Sequence, residues 1–209
     1  TTWYSHAIST GPYFDEFFTP SSKQQTVGEL LRYKAIAGVV DTLVFSLPQR
    51  GEIVSSPGWG DASRIMRMIG IKEASDQDIL TGILKQPQSQ YFEFLNLKSL
   101  RLSSSFPYSM AIVQGVDYAS LNPRASLLIL LNDSMLNNYI EKIKPDNVMG
   151  FSIKSRDGDT LFEYRGAGDE EGGSDRLVTV SLPSQTYQCE YEIRLLPHSA
   201  SETGGLVLL

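Results

Sequence analysis

Hydrophobic positions along the chain change period several times, and each change marks an element. Val39–Leu47 (VVDTLVFSL) is β-branched and almost continuously apolar, and Glu52–Ser56 resumes after Pro48-Gln49-Arg50-Gly51. Two strands joined across a short Gly-containing turn predict a hairpin. Ahead of it, Leu30, Leu31, Ile36 and Ala37 predict a helix capped by Ser22 or Thr26 and stopped near Gly38. Phe14, Phe17 and Phe18 share a face and predict a short helix within an irregular, aromatic start. Ser55–Asp61 leaves the sheet; Asp61 caps a helix over 62–69, and Asp76 or Asp78 a second through Ile79, Leu80 and Leu84.

Strands return at Tyr91–Leu95, Ser109–Val116 and Ser126–Leu131, the last two joined by a loop over Asp117–Arg124. Asn132 or Asp133 then caps an amphipathic helix, with Met135, Leu136, Tyr139, Ile140 and Ile143 on one side. Lys144-Pro145-Asp146 breaks it. A second β unit follows: Val148–Lys154, a turn containing Asp157-Gly158, Thr160–Arg165, an acidic glycine loop over Gly166–Asp175, then Leu177–Leu182 and Gln185–Leu196. The predicted class is α+β, with two antiparallel-sheet modules over 1–144 and 145–209. Each opens on a hairpin and closes on further strands, and only the larger has a helical excursion between them.

That order, hairpin, helical excursion, three-stranded meander, is the order of a PAS-like domain. Val40–Phe45 with Gly51–Ser56 resembles the first hairpin of extracellular double Cache (tandem PAS-like) sensor domains, nearest those of Gram-positive membrane-bound AraC-type regulators and histidine kinases. Ala125–Ile143 resembles that family's last distal strand and the helix running to the proximal module. Phe151–Glu163 resembles the proximal hairpin, and Gln188–Pro197 the closing strand before a second membrane helix. The resemblance spans roughly 25–198. It implies an extracellular sensing region of a bacterial transmembrane receptor, a small-molecule ligand in the distal module, and an output on parts of the protein outside this chain. The Arg, aromatic and Asp constellation of the amino-acid-binding subset finds no match here, so an amino-acid ligand gains no support.

The 209 residues are 41% apolar and 20% charged, a globular composition. With 18 basic against 24 acidic residues and a net charge of −6, nucleic acid is a poor partner. The single cysteine, Cys189, excludes an intramolecular disulfide and reads as a small buried hydrophobe. No stretch approaches the length of a membrane span. The start Thr1-Thr2-Trp3-Tyr4 reads as that of an excised piece, attached to the membrane only through helices outside it. Leu206–Leu209 reads equally as a closing strand or the beginning of such a helix.

Candidate ligand contacts are Trp59, Tyr108, Gln114, Asp117 and Tyr118. Trp59, between two glycines, offers a large stacking surface with one donor, or else closes a turn over the core. Tyr108, Asp117 and Tyr118 flank a central strand in which Gln114 is an unusual polar residue needing partners. A ligand, the backbone or another side chain would serve equally. Asp157, Asp159, Asp169, Glu170, Glu171 and Asp175 match no calcium-loop spacing, so no metal is expected. Neither His6, His198 nor the serines sit in a nucleophile pattern, no phosphate cradle is present, and no cofactor is implied. Two rivals stay open: a ligand-free structural or homodimerising module, and a secreted hydrolase using an acid pair.

Overall fold

A computed structural model describes residues 19–48, 51–85, 92–103, 108–119, 122–166, 177–184, 187 and 189–196, with side chains undescribed at 117–119 and 122–124. The predicted N-terminal helix, most of the acidic loop, both histidines and Leu206–Leu209 lie outside these residues.

Helix α1 (Pro20–Ala37) begins earlier than the sequence predicts. Pro20 suits the first helical position, where its missing N–H costs nothing, and Thr19 accepts from Ser22 N at 3.3 Å. Thr19, not Ser22 or Thr26, is therefore the cap. Gly38 ends the helix at φ 67°, the left-handed turn glycine adopts without strain. Strands β1 (Val40–Leu47) and β2 (Glu52–Ser55) form the expected hairpin. The next residues do not leave the sheet: β3 (Gly58–Gly60) folds back on β2, pairing Trp59 with Val54.

Helices α2 (Ala62–Met68) and α3 (Ala74–Lys85) make the excursion. Asp61 caps α2 as expected, through Arg64 N at 2.8 Å. Asp76 does not cap α3. It lies in the first turn, 2% exposed, and accepts from Ser103 N and Oγ at 3.0 and 2.6 Å. Strand β4 (Glu93–Asn96), a 3-10 turn (Leu97–Ser99), β5 (Met110–Ala119) and β6 (Asn122–Leu131) complete the meander. The predicted Asp117–Arg124 loop is mostly strand, since Tyr118 pairs with Pro123 and Ala119 with Asn122.

The first sheet is antiparallel in the order β3-β2-β1-β6-β5-β4. Successive side chains alternate between its faces. One face carries Val44, Ile53, Ala111, Val113, Leu128 and Leu130, packed under α2 and α3 by Ile65, Met66, Leu80 and Leu84. The other carries Leu43, Phe45, Leu47, Val54, Met110 and Leu131, with Val27 and Leu30 of α1 over it. Burial on both faces explains the largely apolar runs Leu43–Phe45 of β1 and Leu127–Leu131 of β6.

Asn132 caps α4 (Asp133–Ile143) by accepting from Ser134 N and Met135 N. The second sheet follows: β7 (Val148–Ser155), β8 (Thr160–Arg165), β9 (Val178–Ser184) and β10 (Cys189–Leu195), in the order β8-β7-β10-β9. Gly158 turns the β7–β8 hairpin at φ 89°. The architecture is thus α+β, two PAS-like antiparallel sheets joined by an amphipathic helix. Ile153, Leu161, Phe162, Tyr164 and Cys189 of the second sheet join the α1-side cluster of the first, and Leu136 and Ile140 of α4 pack against the same cluster. Tyr187 reaches Phe92 and Phe94, each with ring centroids 5.8 Å apart.

Candidate functional site

A pocket of about 400 Å³ opens at the end of the first sheet where β1 starts. Four elements meet there. Helix α1 supplies Leu31 and Lys34 near its C-terminus, and β1 supplies Asp41 and Thr42. The β2–β3 turn contributes Ser56 and Pro57, and the end of α2 contributes Met68, Ile69 and Gly70; Tyr108, just ahead of β5, closes the set. The size falls at the small end of ligand cavities.

Local chain geometry explains why polar groups converge here. A register shift at Val40/Thr42, where β1 meets β6, marks the stretch of β1 that holds Asp41. The tight β2–β3 turn, held by Ser55 Oγ donating to Gly58 O at 2.9 Å, brings Ser56 back beside β1, where its N–H donates to Leu43 O at 3.0 Å.

Asp41 is the hub. The Tyr108 hydroxyl donates to its Oδ2 at 2.5 Å and lies 3.4 Å from Ile69 O. Thr42 Oγ1 donates to the same carboxylate at 3.2 Å, and Lys34 Nζ stands 3.6 Å from Oδ1. Burial raises the Tyr108 pKa well above the usual phenol range, and the neighbouring Asp41 carboxylate adds to the rise. Tyr108 therefore stays a neutral donor. One lining group stands out: Ser56 is 1% exposed, and its hydroxyl has no hydrogen-bond partner among the described residues. A buried polar atom left in this way is costly, and in folded proteins an ordered water or a ligand commonly completes it.

Of the three expected contacts whose side chains are described, Tyr108 lines this pocket and Trp59 and Gln114 do not. Trp59 packs instead on the α1-side cluster, together with its strand partner Val54. Gln114 alternates with Ile112 and Val116, which pack on that same cluster, and so lies on the same side. The side chains of Asp117 and Tyr118 are outside the described set, although the backbone puts both in β5. Lys34, Asp41, Thr42 and Ser56 were not candidates from the sequence. Asp41 interrupting an apolar strand was the available signal; the role of Ser56 depends on a third strand that Gly-Trp-Gly does not advertise.

Elsewhere, Cys189 is buried and free of disulfide, and burial pushes its thiol pKa up. Tyr191 on the same strand is pushed up to about 12, first by burial and then by Cys189. Among the described residues no group of three or more His, Cys, Asp and Glu is placed to hold a metal, and no helix is long and apolar enough to cross a membrane.

No family model matches the chain, and no curated protein matches it significantly. Solved structures similar to it include sensory domains. The ligand-binding domain of the Campylobacter jejuni chemoreceptor Tlp3, in complex with 4-methylisoleucine, aligns over 97% of this chain and 84% of its own, at 9% identity and a TM-score of 0.43. The extracellular domain of the histidine kinase vpHK1S-Z8 aligns over 92% and 82%, at 8% identity and 0.44. That of the histidine kinase rpHK1S-Z16 aligns over 86% and 80%, at 7% identity and 0.44. The likeness is one of general layout.

Proposed function

We propose that this chain is the extracellular small-molecule-sensing region of a bacterial transmembrane signalling receptor, with its ligand held in the pocket around Asp41, Ser56 and Tyr108. The observation that carries the reading is a pocket of ligand size whose wall includes a buried hydroxyl without a partner among the described residues. A structural spacer would gain by filling such a space with apolar side chains. The placement of the pocket also fits a receptor. Its walls come from α1, the first sheet and α2, so a ligand touching all three favours one relative arrangement of them. A shift in α1 would pass through Val27 and Leu30 into the cluster shared with the second sheet. Differential affinity for two such arrangements is what a sensor requires. In this reading Tyr108 is a ligand contact, and the membrane and output segments lie outside the chain.

The test is a thermal-shift screen against sugars, organic acids, amino acids and amines, repeated on Leu31→Trp. Leu31 is a half-exposed pocket-lining residue, so an indole there obstructs the mouth with little cost to folding. A compound that raises the midpoint of the parent but not of the variant supports sensing. A screen with no stabilising compound refutes it.

A further inference from the structure

We infer that the pocket takes a neutral polyhydroxyl molecule of about one ring, a monosaccharide or cyclic polyol. This rests on the sensing role proposed above and deepens it. The charge balance comes first. Among the described residues Asp41 is the only carboxylate in the lining and Lys34 the only cation, and they are 3.6 Å apart. A ligand ammonium would meet a carboxylate already neutralised and a lysine that repels it. A ligand carboxylate would find Lys34 committed to Asp41 and would face that like charge.

Hydrogen-bonding capacity points the same way. Asp41 accepts from Tyr108 and Thr42 and is ion-paired with Lys34, yet a carboxylate has about four lone-pair sites. The hydroxyls of Tyr108 and Thr42 both donate to Asp41 and hold its carboxylate in place. Ser56 has both a proton and lone pairs uncommitted among the described residues. Such a wall wants groups that donate and accept within one small unit, and a hydroxyl is the neutral group that does both. The remaining lining, Leu31, Pro57, Met68 and Ile69, is apolar and suits the C–H face of a ring. A cavity of about 400 Å³ accommodates one ring without demanding a chain of them.

The experiment is calorimetric and thermal-shift binding of D-glucose, L-rhamnose, D-ribose and myo-inositol, beside L-isoleucine, succinate and glucosamine at pH 6, to the parent chain, Ser56→Ala and Lys34→Met. One or more neutral sugars or polyols should bind, and Ser56→Ala should weaken that binding about tenfold. The unfolding midpoint of unliganded Ser56→Ala should stay level or rise, because the hydroxyl removed has no protein partner. Lys34→Met leaves Asp41 without its cation, and should strengthen glucosamine about tenfold relative to the neutral sugars. Binding of isoleucine or succinate but of no neutral compound would overturn the ligand class and leave sensing standing. Sugar binding unaffected by Ser56→Ala would overturn the site. No binding by any compound would overturn both inferences.

Discussion

Removing the Tyr108 hydroxyl isolates one bond that joins residues far apart in sequence. Tyr108→Phe keeps the ring, which is buried in the α2 and α3 cluster, and deletes the hydroxyl, whose shortest bond is to Asp41 and which also reaches Ile69 O at 3.4 Å. Hydrogen bonds to a charged group contribute about 1.5–3 kcal/mol to stability. The Asp41 side chain is 27% exposed, and Thr42 and Lys34 remain on it, so water and neighbours compensate part of the loss. The expected cost is therefore near the bottom of that range, about 1.5 kcal/mol. Urea unfolding followed by Trp fluorescence measures it. A double-mutant cycle with Asp41→Ala should return a coupling of about 1 kcal/mol, because these two groups face each other directly. The pH dependence has a definite sign. The phenol's pKa is higher in the folded than in the unfolded chain, so above its ordinary value of about 10 the unfolded state binds fewer protons and stability falls as pH rises. The parent's advantage over Tyr108→Phe should be level between about pH 7 and 9 and shrink above about pH 10. A cost under about 0.5 kcal/mol, the same cost in the Asp41→Ala background, or an advantage unchanged at about pH 11 would refute the argument.

Two further outcomes are expected. Phe162 is almost fully buried in the cluster that joins the two sheets, so Phe162→Ala should cost about 3–5 kcal/mol. It should lower one unfolding transition seen alike by fluorescence and far-UV dichroism; a second, separate transition at unchanged denaturant concentration would mean the sheets unfold independently. Cys189, buried with its thiol pKa raised, should react with a thiol reagent at least about a hundredfold more slowly in the native chain than in urea near pH 8. Equal rates would place the thiol on the surface.

Strands and helices were legible in the sequence where a single local force decides them. β-branched runs marked β1 and β6, an Asp-Gly pair marked the β7–β8 turn, and Asn132 and Asp61 marked helix starts. Errors fell where a longer-range contact overrode the local signal. Asp76 looks like a cap by spacing, but a partner at Ser103 pulls it inside. Gly58-Trp59-Gly60 lacks any alternation, yet β2 templates it into a strand. Asp117 and Tyr118 read as loop because of Asn122-Pro123, whereas pairing carries the hairpin almost to its tip. The candidate site was less legible than the fold. Trp59 and Gln114 drew attention as unusual residues, but which face of the sheet they take depends on register, and register is a property of pairs of strands. Lys34, Asp41 and Ser56 come together from three elements, and Asp41-Thr42 is the one place where neighbours in sequence both supply polar groups to the pocket.

The strand order of the first sheet also sets a sequence of events in folding. β1 sits between β2 and β6, so its second edge waits until the intervening helices and strands have been made and β6 arrives. Until then Leu43, Val44 and Phe45 have a partner on one side only, and the hairpin exposes apolar surface on both faces. Pairing between segments this far apart in sequence is expected to close slowly, which stopped-flow refolding measures. The connection itself is forgiving: doubling the length of a flexible loop costs only about 0.6 kcal/mol of closure entropy. Insertions in the loops of the excursion, outside the helices that carry buried Ile65, Met66, Leu80 and Leu84, should thus leave stability largely intact while retarding folding, and substitutions that weaken the β1–β6 seam should harm yield more than their effect on the finished protein implies.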